Sequence, residues 1–326
     1  MNNTITSRQK RAEMDVEQYY SPIKRSLWSK ILKHKTFYMF LLPCIVFFAI
    51  FSYWPMSGLI LSFKEFRFDR GLLGGDWVGL RYFEQFFRDP RSDMYIRNTL
   101  IISALKLFLY LPFPILLALG FNEISNRRAQ STMQSISYLP YFISWVVVVG
   151  LIQRILAPNT GLLNQIIQFF GGTGDTFYLM QEEYFFPIVF ISYLWKEIGW
   201  DSIVYFSAIV GISPSLYEAA AIDGANRLQQ TRHITLPSIR TTIFLLFLLS
   251  LGGILSAGFD QIYLLQTPGN ANVSETIDTY VVQTGLQGGQ FGYATAIGML
   301  QGVAGLVLTI IMNRLAKRVS DDVTLW

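Results

Sequence analysis

The sequence predicts an all-α protein that crosses a membrane six times. Three observations predict this fold: the composition, a set of long apolar stretches, and an uneven distribution of lysine and arginine. Of the 326 residues, 52% are hydrophobic and 15% are charged, whereas a typical soluble domain has about 25% charged residues. The mean hydropathy is +0.35. This composition excludes a disordered chain, a disulfide scaffold and an ordinary soluble enzyme.

Six stretches are long enough to cross the hydrocarbon layer, which takes roughly 20 apolar residues in a helix. In chain order they are Thr36–Phe63, Arg97–Phe121, Ala129–Gln153, Tyr184–Ile212, Thr241–Phe259 and about 291–312. The second contains Lys106, and the fourth contains Lys196, Glu197 and Asp201. The other four stretches carry no charge, so their membrane assignment depends on length and composition alone.

The basic residues orient these spans. With the N-terminus inside, the inside segments hold 16 lysines and arginines and the outside segments hold 7, as the positive-inside rule requires. Both termini are then cytoplasmic, residues 1–35 form a basic cytoplasmic segment, and residues 36–326 form one membrane domain. The first span lacks a small-residue cleavage site, so we expect it to stay as an uncleaved anchor.

Several classes of site are not expected. Cys44 is the single cysteine and His34 and His233 are the only histidines, so neither a disulfide nor a metal site is predicted. No GxxxxGK phosphate loop occurs, and no Ser/His/Asp or Cys/His arrangement can be assembled. The basic isoelectric point, about 9.0, follows from the positive-inside distribution and does not indicate nucleic-acid binding.

The cytoplasmic segment between the fourth and fifth spans predicts two short helices. Ser213 is a favoured N-cap, and Pro214 falls at the first helical position. Gly224 is placed to end the first helix in a left-handed conformation. We expect the second helix over Ala225–His233, stopped by Pro237 before the next span. Helices shorter than about 12–15 residues are marginal alone, so both need a surface to dock against.

The same segment resembles the EAA loop of binding-protein-dependent ABC importer permeases. The loop pattern is EAA-x3-G-x9-I-x-LP, and every defining position is filled, by Glu218, Ala219, Ala220, Gly224, Ile234, Leu236 and Pro237. In that family the loop inserts into a cleft on the ATPase subunit. The resemblance therefore implies that residues 213–237 form an ATPase-coupling loop, in which Asp223 and Arg227 flank the contact.

Further motifs resemble the LplB-like permeases of complex-polysaccharide importers, a group similar to the alginate importer permeases. These motifs are Leu41–Pro43, Tyr53–Met56, Arg97–Leu100, Ser137–Pro140, Phe142–Ser144, Phe259–Leu265, Thr279–Val282 and Thr324–Trp326. The resemblance covers residues 36–326 and implies the six-span permease fold of a type I ABC importer.

The resemblance also implies a function and a set of partners. The chain would be a permease subunit in a bacterial cytoplasmic membrane, where it carries oligosaccharides, uronate oligosaccharides from alginate or pectin among them, inward by alternating access. Its partners would be a second, homologous permease in a heterodimer, two ATPase subunits, an extracytoplasmic binding protein and membrane lipid. The subunit itself would not be an enzyme, because ATP and Mg²⁺ bind to the ATPases and this chain binds no cofactor.

The charged residues of the fourth span are candidates for the translocation pathway. Glu197 and Asp201 are four residues apart and share one helix face, and Trp195 and Trp200 flank them. Buried carboxylates face a cavity or pair with other groups, and aromatic rings with carboxylates suit a sugar. The alternative is a polar contact between helices or subunits. For Lys106 we expect an interhelix pair or snorkelling.

Two other functions remain open from the sequence. A stand-alone secondary transporter of a small polar solute would usually show more spans and inverted repeats. A membrane-embedded enzyme would need a catalytic cluster.

The extracytoplasmic connection between the third and fourth spans contains a short amphipathic stretch, Leu162–Phe170, which lies between glycine-containing turns. We expect this stretch to lie along the outer surface.

Overall fold

The computed structural model describes residues 35–319 except 68, 72, 73, 252 and 254, with the backbone alone for 315–319. Residues 1–34 of the basic segment 1–35, and the motif Thr324–Trp326, therefore lie outside the described residues. The α-helices are Lys35–Phe48, Trp54–Met56, Arg81–Arg88, Ser92–Ala104, Pro112–Asn122, Arg127–Tyr138, Trp145–Ile155, Leu162–Phe169, Glu182–Val210, Pro214–Ile222, Arg227–Gln230, Leu236–Leu251, Phe259–Leu265, Ala271–Ser274, Ile277–Val282 and Phe291–Val319. Among the described residues, β structure is limited to the isolated bridges Lys64–Trp77 and Arg67–Gly71, which confirms the all-α prediction.

Length and composition allow between four and six membrane spans among the described residues. Four helical stretches qualify alone: Lys35–Phe63, Ser92–Asn122, Arg227–Leu251 and Phe291–Arg314. Two bent helix pairs qualify if each pair counts as one span: Arg127–Phe142 with Trp145–Ile155, and Glu182–Val210 with Pro214–Ile222. The predicted number of six is reached when both pairs are counted.

The third span is broken, whereas the sequence suggested one continuous helix over Ala129–Gln153. Its two halves are bent by 96°. A 3-10 turn containing Pro140 ends the first half, and Ile143 and Ser144 are extended, with ψ angles of 132° and 151°. Proline removes a backbone donor and clashes with the preceding helical turn. Because no charged residue interrupts this stretch, its composition indicated one continuous span despite Pro140.

The fifth span begins and ends earlier than expected. Pro237 does not stop the preceding helix, because a π-helical turn at Thr231–Thr235 joins Arg227–Gln230 to Leu236–Leu251 in one helical stretch. π-turns shift the hydrogen-bond register within a helix, and here the turn ends two residues before Pro237, which lacks an N–H. The helix ends at Leu251 rather than at Phe259, and Gly258, with φ +83°, precedes the next helix.

The chain divides into two compact units, with the boundary between Gly58 and Leu59. In the first unit, the helix Lys35–Phe48 has no buried residue. The second unit is built around Glu182–Val210, called here the central helix. This helix packs along Pro112–Asn122 and also contacts Arg127–Tyr138 and Leu236–Leu251.

One glycine allows the closest approach to the central helix. A Cβ at Gly199 would lie 1.9 Å from the carbonyl oxygen of Ser137. Only a residue without a side chain fits at this distance. The contact therefore brings the first half of the broken third span directly against the middle of the central helix, beside the charged candidate residues.

Two polar residues of the second span anchor the short helices that precede the last span. Asn98 is fully buried, and its Nδ2 donates to the carbonyl oxygens of Asn272 and Glu275, both at 2.9 Å. The hydroxyl of Thr99 accepts from the backbone N–H of Ile277 at 3.0 Å. Buried polar groups of this kind are hydrogen-bonded, so part of the Arg97–Leu100 motif has a structural role.

A candidate translocation cavity and coupling loop

A cavity of about 470 Å³ lies between the second span, the central helix, the end of the fifth span and the residues that follow it. We call it the central cavity. Its charged and aromatic lining residues are Lys106, Tyr110, Tyr193, Trp200, Asp201 and Tyr205. The remainder of the wall is formed by Ser103, Leu107, Leu111, Pro114, Val204, Leu246, Leu249, Ser250, Gly253, Ser256 and Gly258. The lining therefore combines aromatic faces, hydroxyl groups and one charge of each sign.

Asp201 and Trp200 are each fixed by a residue from another segment. The Tyr110 hydroxyl donates to Asp201 Oδ2 at 2.7 Å. Trp200 stacks on Tyr141, with ring centroids 4.4 Å apart and an interplanar angle of 5°. A charged acceptor makes the Tyr110 hydrogen bond stronger than a neutral one. Both side chains are thus held in position at the cavity wall by contacts within the chain.

Lys106 reaches across the central cavity to the break after the fifth span. Its Nζ donates to the carbonyl oxygen of Ala257 at 2.7 Å and lies 4.6 Å from the ring centroid of Tyr193. A Cβ at Gly258 would lie 2.6 Å from this nitrogen. Lys106 therefore makes an interhelix contact, one of the two roles that the sequence predicted, and it also lines the cavity.

Glu197 and Trp195 are not among the residues that line the central cavity. Lys196 Nζ lies 3.4 Å from Glu197 Oε1 and donates to the carbonyl oxygen of Tyr141 at 2.7 Å. The same ammonium lies over the rings of Tyr141 and Trp145. Glu197 thus takes the alternative that the sequence left open, a polar contact, while Trp200 and Asp201 reach the cavity.

The first half of the coupling loop has the predicted geometry. Its helix runs over Pro214–Ile222 with Ser213 as N-cap residue, although the Ser213 side chain makes no capping bond. Gly224 has φ +80°. The N–H of Ala225 donates to the Ala220 carbonyl at 2.9 Å, and that of Gly224 donates to Ala221. These two bonds form a Schellman motif, which needs a left-handed residue at Gly224.

The second half of the loop is tied to the membrane helices. Asn226 caps the next helix through a capping box with Gln229. Arg227 forms an ion pair with Glu123, which follows the end of the Pro112–Asn122 helix. Within the loop, the Tyr217 hydroxyl lies 2.9 Å from Thr235 Oγ1. The second helix is therefore held by the chain itself, although the sequence suggested that it needs an external surface.

The predicted coupling residues divide into exposed and inward-packed ones. Glu218, Ala219, Asp223, Gly224 and Arg227 are exposed. Ala220 and Ile234 are half-buried beside a small cavity of about 340 Å³. Leu236 packs against the core cluster that contains Ile239, and Pro237 is exposed at the start of the fifth-span helix.

The chain matches the family described as binding-protein-dependent transport system inner membrane component over residues 110–322. This region contains the central helix, most of the central cavity and the whole coupling loop. The chain belongs to this family. The predicted family is therefore confirmed, and so is the permease function, because members of this family are the membrane components of transport systems.

Curated relatives of this permease cover almost the whole chain. It is 41% identical to the polygalacturonan/rhamnogalacturonan transport system permease protein YteP of Bacillus subtilis (strain 168), over 92% of this chain and 93% of the relative. It is 36% identical to protein LplB of the same organism, over 90% of this chain and 93% of the relative. The predicted similarity to the LplB-like group is confirmed.

Solved structures share the fold of the permease. A chain in the crystal structure of a bacterial ABC transporter involved in the import of the acidic polysaccharide alginate matches with a TM-score of 0.84 and 40% identity. The match covers 90% of this chain and 99% of the other. A second structure, in complex with an alginate pentasaccharide-bound periplasmic protein, gives a TM-score of 0.83. These matches confirm the type I importer permease fold.

The family assignment defines the location of the permease and the type of protein that it is. It is a multi-pass protein of the inner membrane and a transport subunit rather than an enzyme. Among the described residues, no group of three or more His, Cys, Asp or Glu side chains is placed to hold a metal ion.

Sequence reasoning missed several residues of the candidate site. Tyr110 and Tyr205 gave no signal, because a tyrosine in an apolar span has no distinguishing pattern. Tyr141 lies between two motifs that carry the resemblance, Ser137–Pro140 and Phe142–Ser144. That position was a signal by which Tyr141 could have been identified as a candidate site residue. The partner of Lys106 is a backbone carbonyl 151 residues away, which no side-chain pattern reveals.

Proposed function

We propose that this permease imports an acidic, uronate-containing oligosaccharide through the central cavity. The observation that carries this proposal is the lining of the cavity, in which an ammonium group, a carboxylate and aromatic rings converge on about 470 Å³. Relatives named for polygalacturonan and alginate support the choice of cargo. The cavity volume falls in the range typical of small-molecule sites.

The aromatic and polar groups of the cavity suit a sugar ring. The face of a sugar presents C–H groups that stack on aromatic rings, and its hydroxyl groups both donate and accept hydrogen bonds. Trp200 is 41% exposed, although Tyr141 stacks on one face of its ring. Asp201 offers further acceptor positions after binding Tyr110, so it can receive a sugar hydroxyl.

The charge distribution favours an acidic cargo. Glu197 is paired with Lys196 and lies outside the cavity lining, so it exerts little repulsion on an anion there. The ammonium of Lys106 is bound to a neutral carbonyl rather than to a carboxylate. A cargo carboxylate would be a stronger partner for Lys106 than Ala257 is. Lys106 is therefore the residue we assign to carboxylate recognition.

The coupling loop provides the link to ATP hydrolysis in this proposal. Three apolar side chains of the loop are strongly exposed: Leu216 at 50%, Ile222 at 87% and Leu228 at 77%. Leu216 and Leu228 flank the segment Glu218–Gly224, and Ile222 lies within it. Exposed apolar patches in such a position mark interaction sites. The loop docks on a separate ATPase subunit, and ATP and Mg²⁺ bind there.

The complete transporter in this proposal contains five proteins. A second permease of the same family completes the pathway, two ATPases bind the coupling loops, and an extracytoplasmic protein delivers the oligosaccharide. The excess of lysine and arginine in the segments assigned to the inside orients both termini to the cytoplasm. Closure of the ATPase dimer turns the cavity outward, and reopening releases the cargo inside by rigid-body movement.

Transport by the reconstituted complex with its binding protein tests this proposal. The probes are trigalacturonate, a trimer of mannuronate, and the methyl esters of both, which have the same rings without the charge. We expect uptake of at least one acid and much weaker uptake of its ester. We also expect Lys106→Met to reduce uptake of the acid while Lys106→Arg retains part of it. Equal uptake of acid and ester, or uptake of neutral oligosaccharides alone, would contradict the acidic cargo.

A further inference from the structure

The connection between the third span and the central helix contains a helix with an unusual distribution of polar side chains. This helix is Leu162–Phe169, called here the loop helix. Leu162, Ile166 and Phe169 fall within an arc of about 60° on a helical projection. Leu162 is 57% exposed, Ile166 46% and Phe169 85%, and the adjoining Phe170 is 81% exposed. These four side chains form an exposed apolar strip, and the exposed Gln165 borders it on one side.

The opposite face of the loop helix carries Asn164, which is fully buried. Its Nδ2 donates to the carbonyl oxygens of Ala157 at 2.9 Å and Thr176 at 2.8 Å. One side chain thus fastens both ends of the connection to the helix between them. This arrangement fixes the rotation of the helix, so that the apolar face cannot turn inward.

The two remaining polar side chains of the loop helix are also bound to their own loop. Gln165 donates to the Thr160 carbonyl at 2.9 Å, and Gln168 donates to the Thr173 carbonyl at 3.3 Å. Both glutamines are exposed beside the apolar strip and not within it. A helix that faces only water carries polar side chains across its whole exposed side, whereas here an apolar strip remains uncovered. The loop helix is built to present its apolar face to an apolar environment.

We propose that the loop helix lies in the interface of the lipid bilayer, with Leu162, Ile166, Phe169 and Phe170 in contact with the acyl chains. The helix carries no charged residue. Exposed Val147, Leu151 and Ile155 form a stripe along the preceding helix, which contacts the loop helix. The apolar surface therefore continues from a membrane-associated helix onto the loop helix.

Lipid fits this surface better than a protein partner does. Specific protein interfaces bury roughly 800 Å² on each side and include polar contacts at the rim. Four side chains present less area than that, and the polar side chains nearby are already bound to backbone carbonyls. Amphipathic helices in the plane of the membrane bury such a face at the boundary of headgroups and acyl chains.

The proposal assigns a role to the connection between the third span and the central helix. The loop helix anchors the end of the broken third span at the bilayer surface, so that the connection is unavailable as a docking site for an extracytoplasmic protein. This inference depends on the chain being a membrane protein and not on the identity of the cargo. It therefore stands or falls separately from the acidic-sugar proposal.

Site-directed spin labelling tests the position of the loop helix. Cys44 is the single cysteine, so Cys44→Ala gives a cysteine-free chain. Leu162→Cys, Ile166→Cys and Phe169→Cys would be labelled one at a time in the complete transporter, reconstituted in phosphatidylethanolamine–phosphatidylglycerol vesicles. The other subunits would carry no reactive cysteine. The control is Thr173→Cys, at an exposed position in the same connection.

The readout is the accessibility of each label to oxygen, which concentrates in lipid, and to a water-soluble nickel chelate. We expect the oxygen-to-nickel ratio at the three helix positions to exceed that at Thr173 severalfold. High nickel accessibility at the helix positions would overturn the proposal. Labels that are immobile and shielded from both reagents would also overturn it, because a protein partner would then cover the face.

Discussion

The central cavity and the coupling loop both contain charged residues of this permease, but their surroundings differ. In the cavity, Lys106 and Asp201 are held by partners from distant parts of the chain. In the loop, Glu218 and Asp223 are exposed, next to strongly exposed Ile222. Unpaired charge is costly inside a membrane but inexpensive in water. Both charges of the cavity are therefore satisfied by contacts within one chain, whereas the exposed loop residues form the surface that we propose docks on the ATPase.

This difference predicts how substitutions act in the two regions. Changes beside the cavity alter packing or polar contacts within the chain, so they affect folding of the permease, transport by it, or both. Changes in the exposed part of the loop leave the folded chain intact and affect assembly with the partner. The following substitutions test that division, from the largest expected effect to the smallest.

Gly199→Leu is expected to have the largest effect. At Gly199 a Cβ would lie 1.9 Å from the Ser137 carbonyl oxygen, so the larger residue must separate two packed helices. Overpacking of this kind costs about 1–3 kcal/mol or more. We expect a sharp fall in the yield of monodisperse protein and in its unfolding temperature in detergent. The control is Gly302→Leu, where no atom lies within 4 Å of the Cβ position, and an equal loss there would refute the packing argument.

Gly224→Asp should abolish coupling while the chain still folds. Gly224 has φ +80° and no atom within 4 Å of its Cβ position, so the cost within the chain is conformational, about 1–2 kcal/mol. A carboxylate would project from the proposed ATPase contact. We expect the ATPase subunits to be lost on co-purification, or binding-protein-stimulated ATP hydrolysis to disappear.

Gly224→Asn is the matched control for this substitution. Asparagine tolerates the left-handed conformation better than most residues do and adds no charge. We expect it to retain more coupling than Gly224→Asp does. Normal uptake by the Asp variant would show that this turn does not contact the ATPase.

Asp201→Asn and Glu197→Gln should distinguish the roles of these two carboxylates in the middle of the central helix. Asp201→Asn keeps an acceptor for Tyr110, so yield should persist and any effect should appear in uptake per complex. If the cargo is acidic, uptake should be preserved or increased, because repulsion falls. If the cargo is neutral, it should decrease, because charge-assisted hydrogen bonds, each worth about 1.5–3 kcal/mol, are lost.

Glu197→Gln should act on assembly instead. It removes the carboxylate beside Lys196, whose side chain is largely buried, and leaves that ammonium with the Tyr141 carbonyl and two aromatic rings. We expect a lower yield, with uptake falling only in proportion. Yield and uptake per complex, measured for both variants, distinguish these outcomes, and the same profile for both would contradict the distinct roles.

Reversal of the Arg227–Glu123 ion pair should have the smallest effect. Both side chains are substantially exposed, and exposed pairs contribute about 0.2–1 kcal/mol. Glu123→Arg and Arg227→Glu should each lower stimulated ATPase activity modestly, because the loop loses a tie to the second span. The double reversal should restore most of it. If Arg227 contacts the ATPase directly, the double variant will remain as impaired as Arg227→Glu.

The sequence alone determined the features that depend on short stretches of chain. Approximate span positions follow from runs of apolar residues, and the Pro214–Ile222 helix follows from Ser213 and Pro214. The left-handed end at Gly224 follows from backbone sterics, which depend only on residues that are close in the sequence. The EAA pattern added the family, because its spacing is specific.

Only the tertiary structure decided which distant groups meet. Tyr110 and Asp201 are 91 residues apart, and Lys106 reaches a carbonyl 151 residues away. Such contacts depend on how helices pack, which no local pattern encodes. The same reason applies to Pro237: proline predicts a helix end, but the π-turn at Thr231–Thr235 and the packing of Ile239 in the core keep the helix continuous. Local propensity favours a helix or a helix end at a given position, and the free energy of tertiary packing can override that preference.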